Sequence, residues 1–141
     1  MFLTLDSSVI IAALRKQEEK YTHCRTLLEH VKNAQHIAIQ PYIVLVEVVS
    51  AIKRRTDSQR LALQIKESLL SIDTINFVEL EPKRADLAAE IAAQTGLRGM
   101  DAIIAQIAQE FDTYLVTLDE EMIRKAETII KIKSIDEFLK K

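Results

Sequence analysis

The chain has one cysteine, no tryptophan, two glycines and two prolines among its 141 residues. A single thiol, Cys24, excludes an internal disulfide and a thiolate zinc cluster, so any metal must be held by oxygen. So few glycines leave no phosphate-binding glycine loop, and with so few prolines they call for short, tight connections. The longest apolar stretches, Pro41 to Val46 and Ala102 to Ala105, are too short to span a bilayer. The start of the chain lacks the basic region, apolar core and cleavage pattern of a signal peptide. A soluble, cytoplasmic protein with no membrane partner is expected. Positive charge is not in excess either: 19 Lys+Arg against 21 Asp+Glu give a formal net charge of -2. That lacks the global basic footprint of a sequence-independent nucleic-acid binder. Local patches remain at Lys53-Arg54-Arg55 and Lys83-Arg84, each by default a solvated helix end.

What is present is 48% hydrophobic content, enough to bury the core of one domain spanning residues 1–141. Short β-type runs alternate with longer helical patterns, which predicts an α/β fold around a mainly parallel sheet. Strands are expected at 1–6, 36–40 and 74–80, in the run 113–118 ending at Asp119, and at 129–132. Helices are expected from a Ser7 or Ser8 cap through Ala13, over 21–31, from Pro41 to about Arg55, over 58–71, from Pro82 to a stop at Gly96, from Gly99 or Met100 to Phe111, and over 120–126. Ser134-Ile135-Asp136-Glu137 matches a capping box.

Four carboxylates interrupt apolar or small-residue stretches: Asp6, Glu47, Asp101 and Asp119. Desolvating a charge costs several kcal/mol unless it is paired or holds a cation. No basic partner is evident nearby. Asp6 and Asp119 end strands, and parallel strands present their C-terminal ends at one sheet edge, where ligands bind. Asp101 and Glu47 have apolar or small residues at most helical offsets, so both are expected to face inward. Like charges crowded there raise one another's pKa unless a cation is present, and Mg²⁺ or Mn²⁺ suits an all-oxygen set. The chemistry such a set supports is metal-assisted hydrolysis of a phosphodiester, with one ion or two. Ser8 and Thr117, each two residues from an acid, are candidate supporting hydroxyls. Structural readings stand beside these: Asp6 and Asp101 as helix N-caps, Asp119 as a turn residue, Ser8 as a cap. His23, His30 and His36 lack a zinc spacing. Phosphate contacts are expected from Arg98 and from Lys53, Arg54 and Arg55, although cations complementing a helix C-terminus account equally well for the triplet.

Four segments in order, Leu5-Asp6-Ser7-Ser8-Val9-Ile10, Val46-Glu47-Val48, Gly96 through Ala105 with Asp101, and Val116-Thr117-Leu118-Asp119, resemble the motifs of the PIN-domain family, in particular its small VapC-type toxins. The resemblance extends over essentially the whole chain. It implies a three-layer α/β/α sandwich, a Mg²⁺- or Mn²⁺-dependent endoribonuclease with Asp6, Glu47, Asp101 and Asp119 as its acidic metal site, a frequent homodimer, and an antitoxin protein as partner. An RNA-processing housekeeping nuclease and a non-catalytic RNA- or protein-binding module are the competing readings. A phosphoaspartate receiver is disfavoured, because paired early acids and a late-strand lysine are missing. The apolar faces of helices 21–31 and 61–72 are the expected self-association surface.

Overall fold

The computed structural model describes residues 1–140. Strand β1 (Phe2–Leu5) leads into α1 (Ser7–Leu14) and α2 (Tyr21–Lys32), and β2 (Ile37–Pro41) into α3 (Tyr42–Thr56) and α4 (Gln59–Leu70). Then come β3 (Ile75–Val78), α5 (Pro82–Thr95), α6 (Gly99–Phe111), β4 (Tyr114–Val116), α7 (Glu120–Ala126) and α8 (Ile135–Leu139). The strands form one parallel sheet in the order β3-β2-β1-β4. From β1 the chain steps to β2 and β3 in one direction, then returns across the sheet to β4. Right-handed crossovers therefore place α1 to α4 on one face and α5 and α6 on the other, giving the α/β/α sandwich. The packing agrees: α1 meets α2 and α3, and α5 meets α6, which lies against β1 and β2.

The core is continuous through the sheet, with Leu3, Leu5, Leu27, Ile52, Ile104 and Leu115 all but inaccessible to solvent. No helix is long and apolar enough among the described residues to cross a membrane. Gly96 closes α5 at φ 75°, where a side chain would be strained. With so little glycine, three other left-handed positions fall to Ala34, Asp57 and Asp112.

Four expectations need correction. The predicted strand over 129–132 is reduced to an isolated parallel bridge between Ile132 and Leu115. Strand β4 ends at Val116, so Thr117 and Leu118 leave the ladder before Asp119. The cap position of α1 is Asp6, and Ser7 and Ser8 lie inside the helix. Pro41 ends β2 and occupies the cap position of α3 rather than its first turn.

Candidate functional site

Helices of a parallel α/β unit run back against the strands, so their first turns lie at the same edge as the strand C-termini. That geometry gathers the four acids. Asp6 follows β1, Asp119 follows β4, Glu47 lies near the start of α3, and Asp101 is in the first turn of α6. All four line one open cleft of about 530 Å³. Arg55 and Arg98 line it too.

Asp6 is buried, and its carboxylate is held from two sides. Ser8 Oγ donates to Oδ2 at 2.6 Å and Thr117 Oγ1 donates to the same oxygen at 2.7 Å. Both hydroxyls go to Oδ2, which leaves Oδ1 for another ligand. Ser8 Oγ accepts from Leu118 N at 3.2 Å and Thr117 Oγ1 from Asp119 N at 3.1 Å, so the two hydroxyls tie the end of β1 to the segment after β4. Although Asp6 occupies the cap position of α1, its side chain makes no capping bond. Asp101 is the third residue of α6 and caps nothing either. Asp119 does cap: its Oδ1 accepts from Glu121 N at 2.9 Å and Met122 N at 3.3 Å, while Oδ2 faces Arg98.

Glu47 Oε1 is buried with no hydrogen-bond partner. Burial pushes the Glu47 carboxyl above the ordinary carboxylate range, and the charges of Asp6 and Asp101 push it further, with the Ser7 hydroxyl and the Arg54 charge pulling it partly back. Asp101 is raised in the same way, first by burial and then by Asp6, with Arg98 pulling it back. A divalent cation relieves the crowding that raises Glu47 and Asp101, and the donors of the four acids are all oxygen. The residues fit such an ion. Among the described residues no three acidic, histidine or cysteine side chains converge into a metal-holding group.

The expectation that these acids lack basic partners is corrected at Arg98. Its guanidinium stands 3.8 Å from Asp101 Oδ2 and 3.5 Å from Asp119 Oδ2, with its side chain 77% exposed. The Lys53-Arg54-Arg55 triplet is divided by the fold. Lys53 pairs with Asp57 at 2.6 Å and Arg54 bonds Ser50, both on the helix surface. Arg55 alone of the three lines the acidic cleft, and its guanidinium pairs with Glu18 at 2.9 Å. Glu121 was not foreseen: it shares a smaller adjoining cleft with Asp101 and Asp119 and pairs with Lys125 at 2.8 Å. In the sequence it reads as one more solvated acid at a helix start.

A family model described as PIN domain matches residues 3–128. No curated protein matches in sequence. Among solved structures, the chain superposes on Mycobacterium tuberculosis VapC20, described as a sarcin-ricin loop cleaving toxin, with a TM-score of 0.75 and 14% identity over 93% of this chain and 98% of that one. DNA-bound VapBC from Salmonella typhimurium gives 0.72 and 17% over 96% and 98%. VapBC2 from Rickettsia felis, bound to a promoter DNA fragment, gives 0.67 and 19% over 95% and 98%. At these identities the likeness is one of fold.

Proposed function

The chain belongs to the PIN-domain family, and from that premise we propose that it is a Mg²⁺- or Mn²⁺-dependent endoribonuclease, the toxin of a toxin–antitoxin pair. The observation that carries the reading is the meeting of Asp6, Glu47, Asp101 and Asp119, from four separate segments, in one cleft with an unpartnered buried Glu47 oxygen. A scaffold has no reason to retain that cost, which favours turnover over a purely binding module. The four acids would hold the cation, Asp6 through the oxygen its two hydroxyls leave open. A bound ion supplies Lewis acidity at the phosphoryl group and a water of lowered pKa. Ser8 and Thr117 keep the Asp6 carboxylate in one orientation. Among the described residues Arg55 and Arg98 line the cleft, where they would receive phosphate oxygens of the substrate. An antitoxin partner is supported by the toxin–antitoxin complexes among the similar folds.

The test is cleavage of single-stranded RNA by the purified chain, abolished by EDTA, restored by Mn²⁺ or Mg²⁺, and absent from an Asp6→Asn preparation purified in parallel. Cleavage that persists in EDTA, or in the Asp6 variant, would overturn the metal-nuclease reading.

A further inference from the structure

Gln40 is fully buried, and both ends of its carboxamide are spent on a single residue, the one before Asp6. Its Oε1 accepts from Leu5 N at 2.6 Å and its Nε2 donates to Leu5 O at 2.7 Å. On the β4 side, β1 is paired by backbone up to its end, through Leu5 with Val116, and Asp6 N donates to Val116 O at 2.9 Å. On the β2 side the register stops at Leu3 with Ala38. One residue later Thr4 Oγ1 donates to Ile39 O at 2.8 Å, and opposite Leu5 the Gln40 amide takes over. β1 and β2 therefore part toward their C-terminal ends, and side chains bridge the gap. Asp6 leaves one lip of that gap. From the other, Pro41 leads into α3 and Glu47.

We propose that Gln40 is a positioning residue for the acidic cleft: its amide fixes the Leu5 peptide, and with it the spacing of Asp6 from the Glu47 helix. The inference rests on the metal-site reading above for its consequence, but the restraint itself is a property of the metal-free chain. An amide suits this place because one planar group supplies a donor and an acceptor to a peptide that has lost its strand partner. An apolar side chain would leave the Leu5 N–H and C=O buried and unpaired.

The test compares Gln40→Met, which keeps volume and removes both bonds, with Gln40→Glu, whose buried carboxyl stays protonated at about pH 6 and retains a donor and an acceptor. Thr113→Val is the control. It breaks the buried Thr4–Thr113 hydroxyl contact of 2.6 Å without touching Leu5. Mn²⁺ affinity is read by electron paramagnetic resonance of the free ion, and amide exchange is read at Leu5 and Asp6 without metal. Gln40→Met is expected to bind Mn²⁺ about 10- to 100-fold more weakly, the usual cost of losing support behind a ligand, and to lose protection at both amides. Gln40→Glu is expected to stay near wild type, and Thr113→Val to lose stability without losing Mn²⁺ affinity. Should Gln40→Met fail to fold, Gln40→Asn, one methylene too short to reach both Leu5 groups, replaces it. A folded Gln40→Met or Gln40→Asn variant with wild-type Asp6 protection overturns the proposal, as does an equal affinity loss in Thr113→Val. If wild type binds no Mn²⁺, the metal reading fails, and the exchange data still decide whether Gln40 holds Asp6.

Discussion

At Glu47 and Asp101, burial and neighbouring negative charge favour the protonated carboxyl, which fixes the sign of a pH effect. A folded-state pKa above the unfolded one means that the folded chain holds the extra proton between the two values. Stability without metal therefore falls as pH rises from the ordinary carboxylate range, about 4–5, through the raised folded values. Glu110, Glu121 and Glu137 are lowered by their partners and act oppositely, losing stabilisation as pH falls. The difference between wild type and Glu47→Gln isolates the cleft. In metal-free buffer at neutral pH, Glu47→Gln is expected to melt a few degrees higher, with the gap closing on acidification or on adding Mn²⁺ to wild type. A variant less stable than wild type at neutral pH would contradict the crowding argument. For activity, Asp6→Asn, Glu47→Gln, Asp101→Asn and Asp119→Asn are each expected to lower metal-dependent RNA cleavage by about 100-fold or more while circular dichroism reports an intact fold. Wild-type turnover in two of them would remove the site.

Two elements carry separable roles that substitutions can pull apart. Asp119 caps α7 with one oxygen and faces Arg98 at the cleft with the other. Asparagine caps as well as aspartate, so Asp119→Asn should abolish cleavage with little change in stability. Asp119→Ala should also cost about 1 kcal/mol in chemical denaturation. Equal stability of the two variants would show that the cap contributes nothing. At the end of α3, Arg55→Ala should weaken RNA binding more than Lys53→Ala or Arg54→Ala, because Arg55 alone of the triplet lines the cleft. With a net charge of -2, the salt dependence should report only a few phosphate contacts, about 0.7 in log–log slope for each on a single strand. A steep slope, or equal effects across the triplet, would move the RNA path elsewhere.

For the whole molecule, assembly turns on which apolar faces stay uncovered. The face of α2 formed by Cys24, Leu27, Leu28 and Val31 is buried in the core, so it offers nothing to a partner. α4 differs: Leu61, Leu63 and Leu70 are exposed, and an open depression of about 1000 Å³ runs along it beside Leu63. We expect the chain alone to form a dimer through this helix, and Leu63→Glu to shift it to monomer in light scattering at micromolar concentration. A monomer in the unsubstituted chain would count against the homodimer.

The order of elements was legible in the sequence, and the four acids of the cleft stood out there, because both depend on local signals. Alternating strand and helix patterns predict a parallel sheet, and a lone Glu47 in the apolar start of α3 or an Asp6 directly after a four-residue strand is conspicuous without knowing its neighbours. The Ser134–Glu137 capping box was equally local, whereas the cap of α1 fell to Asp6 rather than to Ser7 or Ser8. Long-range placement decided the rest. Residues 129–132 have strand composition, yet a strand needs a partner along its length, and Leu115 bridges only Ile132. Lys53, Arg54 and Arg55 are alike as letters, and only the rotation of α3 turns the last into the cleft. Arg98 is three residues from Asp101, but its approach to Asp119 depends on how α6 meets the end of β4. Gln40 carries no charge and follows an ordinary strand pattern. Its importance arises only where β1 and β2 part, since hydrogen-bond partners 35 residues away leave no local mark on the chain.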